Sequence, residues 1–244
     1  MATINTVVTG YGPRVQMPWR QSGVFTVSLS SFSGLQRQAA HDVGFRVVAV
    51  QLANAPWVSA NMVELAKLRS EFRARGWSIV GWGTFGQGTD PEQDGAQAAR
   101  LVREFRLDGW VANGEAWAEG KDAWKSGVFV DAWRSSSVGT PPLMLSCLSS
   151  VTGVWPREMD FHPWLDYPGC AISPQVYCSS QPLYTLPAMR ASFRQVVPLN
   201  RVIPTLEVRN DKPVPTRYMR WRGPRWLWTG DSTKPDQYGK VLVS

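Results

Sequence analysis

The sequence is poor in the side chains that build metal sites, disulfide frameworks and serine-type catalytic triads. Its 244 residues include three cysteines, Cys147, Cys170 and Cys178, with no Cys-x-x-Cys pair, and two histidines, His41 and His162. Separated, odd-numbered cysteines disfavour a disulfide framework or a zinc site, and two distant histidines leave little material for a triad. We therefore expect buried thiols, no metal and no cofactor, and any catalysis must depend on carboxylates.

Long apolar runs are also missing. The chain opens on Met-Ala-Thr-Ile-Asn, without the basic patch and apolar run of a signal peptide, and no later stretch approaches 18 uninterrupted apolar residues. These features predict no membrane span and a soluble protein, or one that is exported by another route.

Basic residues and tryptophan are abundant. The formal charge is +7, the sequence pI is about 9.6, and there are thirteen tryptophans. A positive surface favours an anionic partner, such as a cell-wall polymer, nucleic acid or an acidic protein surface. Tryptophans outside the core would suit stacking on sugar rings or a protein interface, although we expect most of them to be packing residues.

Apolar, strand-like runs recur along the chain and are usually separated by helical patterns. The runs are 24–29, 46–52, 78–83, 109–113, 143–148, 171–177, 202–208 and 225–229. Helical patterns cover 59–75, 91–105, 121–135 and 186–197, with Trp124 predicted on the apolar side of the third. Eight alternating units predict a single (β/α)8 barrel. We expect an N-terminal arm over 1–22, the barrel over 23–231 and a C-terminal tail over 232–244.

Two glutamates are the candidate catalytic residues. Glu115 follows the fourth run and Glu207 lies in the seventh. Catalytic groups of α/β barrels sit where strands end, and these two strands lie across the mouth from one another. Facing carboxylates can act as acid and as nucleophile or base in glycoside hydrolysis. The alternative is a pair of solvated or salt-bridged side chains.

The fourth run also resembles the fourth-strand signature of family 18 chitinases. Its residues 108–115, Asp-Gly-Trp-Val-Ala-Asn-Gly-Glu, begin with Asp-Gly and end on Glu as that signature does. Val111 and Asn113 stand where the family has acidic residues. The resemblance implies that Glu115 is the general acid and that Asn113 orients the acetamido group of the substrate.

The sixth and eighth runs extend this resemblance. Gln175-Val176-Tyr177 is similar to the family's sixth-strand Tyr motif, which implies that Gln175 and Tyr177 contact the substrate. Trp226 or Trp228 would form the floor beneath the sugar. We further interpret Trp82 as a sugar-stacking wall and Asp231 as a hydrogen-bonding residue at the eighth strand's mouth.

A second resemblance is to the retaining glycosidases that carry the acid on the fourth strand and the nucleophile on the seventh, which matches Glu115 and Glu207. In this chain Gly114 separates Asn113 from Glu115, whereas that group has Asn directly before Glu. Both resemblances imply a barrel that binds a polysaccharide and needs no cofactor.

The Arg/Trp-rich composition and polar arms also resemble the glycosidase-like domains in minor tail proteins of phages that infect actinobacteria. This resemblance implies a virion tail location, with protein partners in the virion or a homo-oligomer. The alternative hypothesis is therefore a catalytically inactive structural or adhesive tail protein. The stretch 217–226 interleaves basic and aromatic residues, a pattern that can bind nucleic acid but also suits a protein or glycan contact or an ordinary surface. No nucleic-acid-binding signature supports a nucleic acid partner.

Overall fold

Eight parallel strands close into a barrel in sequence order, each strand pairing with the next and β8 pairing with β1. The strands are β1 Gly23–Thr26, β2 Val47–Gln51, β3 Ser78–Thr84, β4 Trp110–Asn113, β5 Leu143–Leu148, β6 Ala171–Val176, β7 Thr205–Glu207 and β8 Trp226–Thr229. The predicted (β/α)8 barrel is confirmed. The computed structural model describes residues 17–54, 58–148, 159–176, 186–207 and 223–229, and the proposed boundaries of arm and tail stay predictions.

Within the described residues, one α-helix follows each of the strands β1 to β6. They are α1 Gly34–Asp42, α2 Val58–Ala74, α3 Pro91–Phe105, α4 Trp124–Ser136, α5 His162–Leu165 and α6 Leu186–Phe193. The predicted bounds of α3 are confirmed, as is its N-cap, because the Asp90 side chain accepts a hydrogen bond from the Glu92 backbone N–H. Helix α1 was not predicted, although its Ser33/Gln36 capping box is visible in the sequence.

The start of α4 differs from the prediction. Two short 3-10 turns, Ala116–Ala118 and Gly120–Asp122, occupy the chain before the helix begins at Trp124. Trp124 is 56% exposed, so its assignment to the apolar side was wrong, whereas Phe129 and Trp133 of the same helix are buried as expected. At the first helical position, Trp124 precedes the turns of α4 that pack against the barrel.

Side chains alternate between two apolar cores because successive strand residues point to opposite faces of the sheet. One core fills the barrel interior and includes Phe25, Val80, Val111, Met144 and Trp226. The other lies between the strands and the helices and includes Val24, Ile79, Ala112, Leu145 and Leu227 together with helix residues. Strands buried on both faces explain the near-continuous apolar runs in the sequence.

The interior changes from apolar to polar toward the carboxyl ends of several strands. In β4 the inward position after Val111 is Asn113, and in β5 the inward position after Met144 is Ser146. In β6, Ala171 is followed at alternate positions by Ser173 and Gln175. Each of these polar residues is buried. The strand ends therefore build a polar layer above an apolar floor, on the face where α/β barrels carry their sites.

Candidate functional site

Glu115 lies just past the end of β4, at the mouth of the barrel, and is half-buried. Gly114 fixes its position, since the Gly114 backbone N–H donates to the Ser146 carbonyl at 2.8 Å and extends the β4–β5 pairing. A Cβ at Gly114 would lie 2.6 Å from the ring of Phe85, which is fully buried. The glycine between Asn113 and Glu115 is therefore required by close packing.

Two amide side chains hold the Glu115 carboxylate. Asn113 Nδ2 donates to Glu115 Oε1 at 3.0 Å, and Gln175 Nε2 lies 3.4 Å from the same oxygen. Gln175 Nε2 also donates to Asn113 Oδ1 at 2.7 Å and lies 3.1 Å from Ser146 Oγ. We call Asn113, Glu115, Ser146 and Gln175 the mouth network. It joins the ends of three strands, and buried amides that are hydrogen-bonded in this way hold one geometry.

Ser146 was not among the residues predicted for the site. The signal for it is a polar residue inside the apolar run Leu143–Leu148, in the inward phase set by Met144. The predicted residues Asn113, Glu115 and Gln175 are brought together by the structure, although Gln175 is 62 residues from Asn113 in sequence.

A second carboxylate, Glu119, is buried in the turns that follow Glu115, with 6% of its surface exposed. Cys147, which follows Ser146 and faces outward, lies close enough to both carboxylates for their charges to act on its thiol. Burial raises the pKa of the Cys147 thiol well above its ordinary value, and the negative charges of Glu119 and Glu115 raise it further. The end of β5 therefore lies in a locally negative environment.

Aromatic side chains form another part of the mouth. Trp228 of β8 is half-buried, and its ring centroid lies 5.1 Å from that of Trp82 and 5.4 Å from that of Phe25. Trp82 Nε1 donates to the Thr26 carbonyl at 3.1 Å, which fixes the indole orientation. Trp82 is 4% exposed, so it supports Trp228 from within the barrel. Trp226 is fully buried deeper in the interior.

The loops after β3 and β4 are tied to one another beside the mouth. Asp94 Oδ2 accepts from the Gly86 backbone N–H at 2.8 Å and from Thr89 Oγ1 at 2.6 Å. Lys125 Nζ then donates to the carbonyls of Gly86 and Trp117 at 3.1 and 2.9 Å. The loop that carries Gly86 after β3 is therefore fixed by side-chain hydrogen bonds, and the chain segment after Glu115 is anchored to it through Lys125.

The remaining predicted site residues lie partly or wholly outside the described residues. Glu207 is the last residue of β7, and its Cα pairs with that of Trp228, while its side chain lies outside the described part of the chain. Tyr177 and Asp231 also lie outside the described residues, as does Cys178. Cys147 and Cys170 are buried and free, as expected.

Asp108, which opens the chitinase-like signature, lies at the other end of β4 from Glu115. Its Oδ2 accepts from Arg73 Nη1 at 2.6 Å and from the Ile79 backbone N–H at 2.7 Å. Asp108 therefore joins α2 to β3 at the amino-terminal face of the barrel and has no contact with the mouth network.

A cavity of about 490 Å³ opens at that same amino-terminal face, where β6 begins and the chain enters β7 and β8. It is separate from the Glu115 site. Within the described ranges, no group of three or more His, Cys, Asp or Glu side chains could hold a metal ion. The helices of the described segments include none with the length and apolarity needed to cross a membrane.

Fold and site together define a (β/α)8 barrel with a carboxylate-bearing, partly aromatic mouth. Similar solved structures include an endo-beta-N-acetylglucosaminidase from Cordyceps militaris, with a TM-score of 0.59, 12% identity and coverage of 91% of this chain and 90% of that one. A class V chitinase from Nicotiana tobaccum has a TM-score of 0.55 and 11% identity over 77% of this chain. This chain spans just under two thirds of the chitinase chain, at 66%.

The same fold also carries unrelated chemistry. The Escherichia coli homocysteine methyltransferase MmuM has a TM-score of 0.57 and 11% identity, with coverage of 91% of this chain and 95% of that one. At such identities the similarity shows the fold alone, and function must be argued from the site. No protein-family model matches the chain, and no curated protein matches it in sequence.

Proposed function

We propose that this barrel is of glycoside hydrolase type and binds a cell-surface or cell-wall polysaccharide at its mouth, around Glu115. The observation that carries the proposal is the composition of the mouth, where the hydrogen-bonding network of Glu115 and Gln175 accompanies the indole of Trp228. Sugars present hydroxyl groups to hydrogen-bonding side chains and apolar C–H faces to aromatic rings. The two kinds of surface match these two kinds of contact.

The enzymatic form of the proposal assigns Glu115 as general acid and Glu207 as nucleophile or charge stabiliser. Hydrolysis of a glycosidic bond uses two carboxyl groups, one to protonate the leaving oxygen and one to stabilise or attack the anomeric carbon. β4 and β7 are three strands apart around the barrel, which supports the proposal that the two glutamates act from different sides of the groove.

Substrate positioning falls to the remaining mouth residues. In the proposal, Asn113, Gln175 and Tyr177 orient the sugar, Trp228 stacks on it from a position supported by Trp82, and Asp231 accepts from a hydroxyl group. The amides of Asn113 and Gln175 are already engaged with Glu115, so they present a preorganised carboxylate to the ligand.

The second candidate is a structural or adhesive component of a phage tail that binds the glycan without turnover. One observation favours it. Val111 is fully buried in the apolar interior and Asn113 is an amide, so two positions that are acidic in the chitinase-like signature carry no charge here. In this form the groove retains glycan affinity, and the chain assembles with virion proteins or with copies of itself.

Two measurements on the full chain separate these forms. Isothermal titration with chito-oligosaccharides, xylan fragments and soluble peptidoglycan fragments tests binding, and release of reducing ends from the same substrates tests hydrolysis. Glu115→Gln keeps an oxygen that can accept from Asn113 but removes the acid. We expect it to lower hydrolysis at least about 100-fold with affinity nearly unchanged.

The matched control is Glu104→Gln, which removes an exposed carboxylate on α3 that pairs with Arg100. It should leave binding and hydrolysis unchanged. Saturable binding without turnover in the wild type would select the adhesive form. Full hydrolysis by Glu115→Gln would overturn the enzymatic form, and failure of every glycan to bind would overturn both.

A further inference from the structure

The cavity at the amino-terminal face is lined by residues that have no role in the proposed polysaccharide site. Its described walls are apolar residues and glycines, including Trp19 and Ile203, together with two arginines, Arg20 and Arg201, one asparagine and Cys170. Its volume of about 490 Å³ is in the range of small-molecule pockets. We propose that this cavity binds a small organic anion that has an apolar body.

The cationic part of the cavity is partly preorganised. Arg201 Nη1 donates to the Leu165 carbonyl at the end of α5 at 2.7 Å, which holds one edge of the half-buried guanidinium. A guanidinium has five N–H donors in a planar fork, so it can still form a paired hydrogen bond with a carboxylate or phosphate. Arg20 adds a second, exposed guanidinium at the rim.

Two local features fix the geometry of the apolar part of the cavity. Trp19 Nε1 donates to the Gly169 carbonyl at 3.1 Å, which fixes the indole against the cavity wall. Gly169 has a φ of +72°, a backbone conformation that residues with a side chain rarely adopt. Glycine at this position therefore avoids backbone strain.

This cavity is separated from the polysaccharide site by the barrel itself. Ala171 lines the cavity at the start of β6, and Gln175 of the mouth network lies four residues further along the same strand. At the rise of a β-strand these positions are about 13 Å apart. The interior between them is closed by packed side chains, including Met144 and Ile203. The anion site is thus independent of the proposed glycan site.

The test uses phenyl phosphate, which combines a phosphate with an aromatic ring, titrated calorimetrically into the full chain. We expect saturable 1:1 binding that is at least about tenfold weaker in Arg201→Met, because a charge-assisted hydrogen bond is lost. Arg100→Met, on the exposed face of α3, is the matched control and should bind as the wild type does. Benzyl alcohol and inorganic phosphate should each bind at least tenfold more weakly than phenyl phosphate.

Arg20→Met provides a second variant in case Arg201→Met fails to fold, since Arg20 is exposed. It should weaken phenyl phosphate binding without loss of stability. The proposal is overturned if the wild type shows no saturable binding, or if the arginine variants of the cavity and the Arg100 control bind alike. It is also overturned if benzyl alcohol or inorganic phosphate binds as tightly, or if a glycan bound at the mouth competes with phenyl phosphate.

Discussion

Asn113 donates a hydrogen bond from Nδ2 to Glu115 Oε1 at 3.0 Å, from the position where the chitinase-like signature has an acidic residue. An ionised aspartate could only accept a hydrogen bond and would repel the neighbouring carboxylate. Asn113 therefore stabilises the Glu115 carboxylate, and its Oδ1 accepts a hydrogen bond from Gln175, which links the two residues.

The substitution Asn113→Asp should destabilise the protein in a pH-dependent way. At pH 8 we expect a loss of about 1–3 kcal/mol in the free energy of unfolding, because a donor is replaced by a like charge. Repulsion makes the folded state bind a proton more tightly than the unfolded state, so the loss should shrink as the pH falls to about 4.5. Urea unfolding at both pH values measures it. Asn113→Ala, which adds no charge, should show a similar deficit at both, and an equal deficit for Asn113→Asp at both would contradict the account.

Gly114→Ala should damage both stability and glycan binding. The added Cβ would lie 2.6 Å from the buried Phe85 ring, so the backbone leading to Glu115 must shift. Overpacking of this kind costs about 1–3 kcal/mol. Gly127→Ala on α4 is the control, since its Cβ would make only an ordinary contact, 3.8 Å from Pro163, and alanine favours a helix. Thermal unfolding that shows equal effects for the two variants would refute this explanation.

Asp108→Asn should lower stability and leave the mouth unaffected. The change weakens the charge-assisted hydrogen bonds to Arg73 and to the Ile79 backbone, and we expect a loss of about 1–2 kcal/mol. Asp131→Asn, at an exposed position of α4, should change stability little. Chemical unfolding and glycan titration of both variants check the prediction. A marked loss of glycan affinity in Asp108→Asn would place this residue in the site after all.

Stability should fall in alkali partly because of Cys170. Burial raises the pKa of this thiol from 9.0 to about 12. Between these values the unfolded chain releases the thiol proton and the folded chain keeps it. The contribution of the protonated thiol to the free energy of unfolding is therefore complete below pH 9 and is lost as the pH rises toward 12. Cys170→Ala removes this term. The difference in unfolding free energy between wild type and variant should therefore narrow by on the order of 1–2 kcal/mol from pH 8 to 10.5. A constant difference would show that the thiol ionises equally in both states.

The barrel was predictable because parallel strands that are covered on both faces appear in the sequence as continuous apolar runs. Helical patterns separate these runs, as expected for repeated βα units. All eight predicted runs overlap observed strands. The start of helix α3 was predictable because Asp90 and Pro91 mark it. Trp124 was misassigned because a helical pattern does not show where the helix begins.

At the candidate site, the sequence predicts single residues at the strand ends better than it predicts their arrangement. Glu115 follows directly from a strand ending in polar residues, but the contact of Gln175 with Asn113 depends on the register of three strands. Ser146 was missed for the same reason. Trp82 was expected as a wall of the groove. Its side chain points into the barrel interior and is therefore buried, and composition alone does not show which way a strand residue points.

The central claim is that the mouth around Glu115 binds a glycan, and a crystal structure with an oligosaccharide from the binding panel tests it most directly. The account predicts a sugar within hydrogen-bonding distance of Glu115 and in contact with Trp228. In the enzymatic form, the carboxyl groups of Glu115 and Glu207 should flank the sugar about 5–5.5 Å apart for retention or about 6.5–9.5 Å apart for inversion. A sugar bound away from the mouth, or a mouth closed by side chains or a neighbouring subunit, would contradict the claim.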